Sequence, residues 1–155
     1  GYSYYQIENK NALLLEASNK SILLKEENSI LSQINNQFEN RISFYKDTLT
    51  NKVELLGTDN HPNLTLNLFW NKASNQVIAY GNSLPILNKE KEYQLWAIVN
   101  SVPVSLGKLD SAEETVTFIE LLDDAKKVEA FAVTIEPLGG SESPTMEEMQ
   151  VIGYA

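Results

Sequence analysis

The hydrophobic pattern changes character once along the chain. From about Gln6 to Thr50 there is neither Pro nor Gly, and Leu, Glu, Lys, Ala and Gln recur, which predicts one long α-helix. Leu24, Leu31, Ile34, Phe38 and Tyr45 approximate the a and d positions of a heptad, and Leu13 and Ala17 extend that seam toward the N-terminus. In the same register Lys20, Glu27 and Arg41 fall on core positions, and seven asparagines between Asn9 and Asn40 lower the helix propensity. Three arrangements remain open: a parallel dimeric coiled coil, packing of part of the helix on the rest of the chain, or fraying of the N-terminal half for want of an anchor. Helical throughout, about 45 residues would reach about 70 Å.

After Asn51 the helical period gives way to short alternating runs separated by turn clusters. Val53 to Gly57 reads as a first strand and Asp59 to Asn63 as a loop. Leu64, Leu66, Leu68 and Trp70 then alternate with Thr65, Asn67 and Phe69, which is the signature of a half-buried strand. Gln76 to Asn82 returns as the second arm of a hairpin. Tyr93 to Asn100 is apolar on both faces, as expected of a central strand covered on both sides. Val102 to Leu109, Glu114 to Ile119, Val128 to Glu136 and Gln150 to Tyr154 complete the set, and Asp123 to Lys127 is compatible with one helical turn. The expected fold is mainly β: an antiparallel β-sandwich of seven to eight strands over residues 51–155, preceded by a helical stalk over residues 1–50.

Charge divides at the same place. The formal charge of −9 comes from six acidic and five basic side chains up to Thr50, and fifteen acidic and seven basic after it. An acidic C-terminal domain repels phosphate backbones, so no nucleic-acid partner is expected. The absence of cysteine excludes disulfides, thiolate metal sites and cysteine nucleophiles, and leaves the redox compartment open. No run approaches the roughly 20 apolar residues of a membrane span, and no signal peptide precedes Gly1, so the chain as it stands reads as soluble. Tyr2, Tyr4 and Tyr5 are nonetheless of the residue type that collects at a headgroup boundary.

Candidate chemistry is sparse. A single histidine, His61, stands in a polar loop before Pro62, too few ligands for a zinc or copper shell and too little for a nucleophilic triad. Glu120 with Asp123 or Asp124, and Glu113 with Glu114, could pair as carboxylates, and Asp123 and Asp124 could meet calcium, but their spacing matches no calcium loop. Gly139-Gly140 has neither a following helix nor an adjacent lysine, so it reads as turn geometry rather than a phosphate cradle. Trp70 and Trp96 would suit a sugar or peptide platform if exposed, and core packing if buried. Glu136, an acid ending a buried strand directly before Pro137, reads as a cap that accepts hydrogen bonds from the following turn. No cofactor site and no enzyme activity are expected.

Several ordered pieces carry a family resemblance: Leu84-Pro85, Tyr93-Gln94-Leu95-Trp96, Pro103-Val104 with Gly107, and Ala132 to Pro137 with Gly139-Gly140-Ser141 and Pro144-Thr145. Together they resemble the extracytoplasmic C-terminal domain of membrane-anchored anti-sigma factors of the anti-sigma-K type, over about two thirds of the chain, from around Val53 to Gly153. The resemblance implies a single-pass cell-membrane protein with this domain outside, periplasmic or extracellular. It also implies a small cytoplasmic module, absent from this chain, that binds an extracytoplasmic-function sigma factor and so represses transcription until proteolysis releases it. A regulatory protein, a protease or a ligand outside the membrane would be the further partner, and the long helix would be the stalk leaving the membrane. The competing reading is an extracellular carbohydrate- or peptide-binding β-sandwich built on Trp70 or Trp96.

Overall fold

The computed structural model describes residues 1–80, 84–109, 115–118 and 127–155, with the side chains of 115–118 left aside. The Pro- and Gly-free stretch forms one helix, α1 (Tyr2–Lys46). Lys46 in its last turn complements the negative end of the helix dipole, and the Asp47 side chain then accepts a hydrogen bond from the Leu49 N–H at 2.9 Å as the chain turns into a strand. From Tyr2 to Ser43 every helix residue is exposed. The chain divides into two compact units, Gly1–Phe44 and Tyr45–Ala155.

The second unit holds β1 (Thr50–Gly57), β2 (Thr65–Asn71), β3 (Gln76–Tyr80), β4 (Lys91–Val99), β5 (Val102–Leu109), β6 (Thr115–Phe118), β7 (Val128–Pro137) and β8 (Met149–Tyr154). They hydrogen-bond in the order β5-β4-β7-β8-β1-β2-β3-β6. Each pairing is antiparallel. The mainly β class and the leading helix are as the sequence predicts, but the described strands form one continuous sheet rather than two separate ones. Its edge strands β5 and β6 approach each other, so the sheet curls on itself. The link between its halves is the short β1–β8 ladder, in which Leu56 faces Ile152 and Gly57 faces Val151. Alternation along a strand reports that one face is covered; it does not distinguish a second sheet from the same sheet curled round. The helical turn proposed at Asp123 to Lys127 falls, Lys127 aside, outside the described residues.

Curling gives the sheet a concave face lined by one apolar cluster. It includes Leu55, Leu66, Leu68, Trp70, Tyr93, Leu95, Ala97, Phe131, Val133 and Val151, on alternate positions of their strands. Trp70 and Phe131 meet edge to face at 5.5 Å, a favoured aromatic geometry. Each such side chain contributes about 1.5–3 kcal/mol by leaving water. Strand β4 is central and buried on both faces: Tyr93, Leu95 and Ala97 belong to the cluster, while Gln94 and Trp96 are buried on the convex side. The cover on that side is the segment that follows β7.

Candidate functional site

The convex face of β4 and β7 carries the densest polar network among the described residues. Thr134 and Glu136 are two residues apart on β7, so they share a face, and the register sets Gln94 opposite Thr134 and Glu92 opposite Glu136. Beyond β7, Gly139 and Gly140 adopt φ of 98° and 79°, left-handed values that a side chain would strain. They turn the chain back over the sheet. Past Pro144 the chain takes one 3-10 turn (Met146–Glu148) into β8.

Glu136 is the hub of this arrangement. Its Oε1 accepts hydrogen bonds from Thr134 Oγ1 (2.5 Å) and the Thr145 N–H (2.7 Å). Its Oε2 accepts from Ser141 Oγ (2.8 Å) and Thr145 Oγ1 (2.7 Å). Thr134 in turn accepts the Trp96 indole N–H at 2.9 Å. Beside it, the Gln94 amide clasps the turn: Oε1 accepts from the Ser141 N–H (2.8 Å), and Nε2 donates to the Ser141 carbonyl (2.9 Å) and to Ser105 Oγ (2.7 Å). A Cβ added to Gly140 would lie 2.9 Å from Gln94 Oε1, so the small residue also gives the amide its place. One carboxylate and one carboxamide thus fasten the segment 138–145 to two central strands.

Glu136 is 1% exposed. Burial pushes its carboxyl pKa up, but the hydrogen bonds from Thr134, Thr145 and Ser141 together outweigh that, and the group is held below the usual carboxylate range. Because the folded-state pKa is depressed, the stabilisation is full above the unfolded value of about 4.3 and is lost as pH falls through the folded value. Urea midpoints measured across this acid range are therefore expected to fall with pH for the natural chain, and to fall less steeply for Glu136→Gln. Equal slopes would mean that Glu136 does not carry the linkage.

The other motif residues have separate places. Leu84 is in the core, and the Pro85 carbonyl accepts the Tyr93 hydroxyl at 2.7 Å; burial raises the pKa of that phenol. Leu95 lines the concave core. Pro103 sits on edge strand β5, where a missing N–H is tolerated. Gly107 faces Leu95 where the β4–β5 register slips, leaving Leu106 as the extra residue of a bulge. Pro137 closes β7 and is exposed, and Pro144 is half-buried just before Thr145. Ser105 completes the network without having been singled out by the sequence, and Thr134, within the motif Ala132 to Pro137, does so without having been given a role there. Thr134 was legible as a hydroxyl on the same face as Glu136, whereas nothing local tied Ser105 to Gln94.

Other chemistry does not converge on this network. His61 is half-buried between β1 and β2, its backbone N–H bonded to the Thr58 carbonyl at 2.8 Å. No group of three or more potential metal ligands occurs among the described residues. The carboxylates Glu113, Glu114, Glu120, Asp123 and Asp124 lie outside them. Trp70 and Trp96 are each 1% exposed, on opposite faces of the sheet, so neither ring is open for stacking on a sugar.

These features define a class: a helix-led antiparallel β domain whose return segment is fixed to its central strands by a buried carboxylate. The family described as "Anti-sigma-K factor rskA, C-terminal" matches residues 30–151. The chain belongs to that family. The match begins well before Val53 and takes in the last third of α1. Comparison with curated proteins and with solved structures gave no significant match.

Proposed function

We propose that this chain is the extracytoplasmic regulatory domain of a membrane-anchored anti-sigma factor, one that holds a sigma factor inactive until regulated proteolysis releases it. The observation that carries this reading is the family match over residues 30–151. No described helix is long and apolar enough to cross a membrane; this reading assigns the anchoring span and the sigma-binding module to other parts of the polypeptide. In this reading the domain does no chemistry itself. It controls how often a cleavage site is exposed, and a partner that binds one state better than another shifts that exposure by its differential affinity. The segment 138–145, anchored at Leu138 by a backbone bond to Glu90 and beyond it by side-chain bonds from Gln94 and Glu136 to Ser141 and Thr145, suits such control. With both tryptophan faces buried, no observation favours an aromatic sugar platform.

The test uses the full-length protein in its own cell. A reporter enzyme active only outside the cytoplasm, fused after Ala155, is expected to be active. Removal of residues 45–155 is expected to raise transcription from the sigma-dependent promoter severalfold, because the site is then always exposed. A reporter active only in the cytoplasm, or unchanged transcription, would overturn the proposal.

A further inference from the structure

At one end of the curled sheet, the start of β4, the end of β5, the loop leading into β4 and Leu138 after β7 border an open groove of about 300 Å3. That is the lower end of the range of about 300–1000 Å3 that ligand sites occupy. Its floor is the margin of the core: Tyr93 and Leu109 are buried members of the apolar cluster, and Leu87 packs against it. Ile86 and Leu138 also line the groove, and at 85% and 65% exposed they leave apolar surface in water. The walls are held from behind. The Tyr93 hydroxyl reaches the Pro85 carbonyl, Asn88 Oδ1 accepts the Glu90 N–H at 3.1 Å, and the Leu138 N–H donates to the Glu90 carbonyl at 2.9 Å. An occupant therefore meets a surface already formed, which lowers the ordering cost of binding.

Charge selects the occupant. Lys89, Lys91 and Lys108 line this one groove, three of the seven basic side chains in a region, after Thr50, that carries fifteen acidic ones. None of the three is ion-paired with a described residue. Glu92 is the one carboxylate among the lining residues, so the groove is locally positive where the domain as a whole is negative. A long polyanion or an anionic bilayer would meet the surrounding acidity and be repelled. A short acidic segment meets only the lysines, and the apolar floor calls for side chains that a free anion lacks. We propose that this groove docks a peptide segment of a partner protein that carries both carboxylates and large apolar side chains. The apolar groups seat on Leu87, Tyr93 and Leu109, and the carboxylates reach Lys89, Lys91 and Lys108. Leu138 opens the segment 138–145, so the same peptide is the partner whose binding shifts exposure of the cleavage site, a step that rests on the regulatory reading above.

Panning a phage-displayed library of random peptides, each about twelve residues long, on the full chain tests this. Enriched sequences are expected to be net acidic, with aliphatic or aromatic residues among the carboxylates. Synthetic copies are expected to bind the double variant Lys89→Glu, Lys108→Glu at least about tenfold more weakly, and to lose affinity for the natural chain as salt rises from about 0.05 to about 0.5 M. Both lysines are exposed, so the thermal transition of the variant is expected to be unchanged. Ile86→Asp, at an exposed apolar position, is expected to weaken the same peptides independently. Failure to enrich any sequence, enrichment of sequences without carboxylates, or equal binding by the double variant would overturn the proposal. So would peptides that bind only after Asp110, Glu113, Glu114, Glu120, Asp123 and Asp124 are changed to amides, since the groove would then be filled by this chain's own acidic stretch. Phosphatidylglycerol vesicles that bind the natural chain but not the variant, with no peptide doing so, would assign the lysines to lipid and overturn it as well. Binding is read on this chain alone, so its failure leaves the transcription result standing, and an unchanged transcription result leaves the binding standing.

Discussion

Glu136→Gln is expected to lower the unfolding free energy by about 3 kcal/mol, a large part of the roughly 5–15 kcal/mol that stabilises a typical domain. The carboxylate accepts two hydrogen bonds on each oxygen, from Thr134, Ser141 and Thr145. An amide of the same shape presents an NH2 to donors on one side and brings no charge to strengthen the remaining bonds. The urea midpoint measures the loss, and amide exchange should quicken first at Gly140 to Thr145, where the lost bonds ended. Ser141→Ala provides a graded companion that removes one donor and leaves the charge three others, at about 1–2 kcal/mol. A Glu136→Gln midpoint within about 0.5 kcal/mol of the natural chain would be ordinary surface behaviour and would refute the hub role.

Gly153→Ala is expected to be at least as damaging, through sterics alone. A Cβ at this position would lie 2.4 Å from the Glu54 carbonyl oxygen and 3.0 Å from Leu55 Cα. Both are backbone atoms of β1, which no rotamer change can move aside. The site adjoins the two-pair β1–β8 ladder that joins the halves of the sheet, so a shift of either strand is felt across the core. We expect a loss of about 3 kcal/mol or more, the upper part of the range for overpacking, read as a fall in thermal midpoint. Gly139→Ala is the informative contrast. Its φ is 98° but nothing lies within 4 Å of the added carbon, so only the left-handed backbone cost of about 1–2 kcal/mol applies. If Gly153→Ala melts with the natural chain, the close approach of β8 to β1 is wrong.

Much of this architecture was legible along the chain because local patterns carry it. Absence of Pro and Gly with sustained propensity gave α1, although its C-terminal limit is Lys46 rather than Thr50, where Asp47 turns the backbone. The alternation from Leu64 to Trp70 placed a half-buried strand, and the apolar run from Tyr93 placed a strand covered on both faces; β4 lies between β5 and β7 and is buried on both. Glu136 was legible as a cap, because an acid before the exit Pro137-Leu138-Gly139-Gly140 has nearby hydroxyls and amides to accept from. Its partners span only Thr134 to Thr145, within reach of local reasoning.

What the sequence determined by itself, then, is what depends on neighbours a few residues apart: the helix, the strand periods, the turn and the cap. Only the tertiary structure decided which faces of those strands meet. It put Trp70 on the concave side and Trp96 on the convex side, brought Ser105 to Gln94, pressed Gly153 against Glu54, and made one curled sheet where two were expected. The physical reason is that a side-chain period of two fixes alternation but not which surface closes over it. That choice is made by long-range strand pairing, above all the short β1–β8 ladder, between residues that lie almost a hundred positions apart.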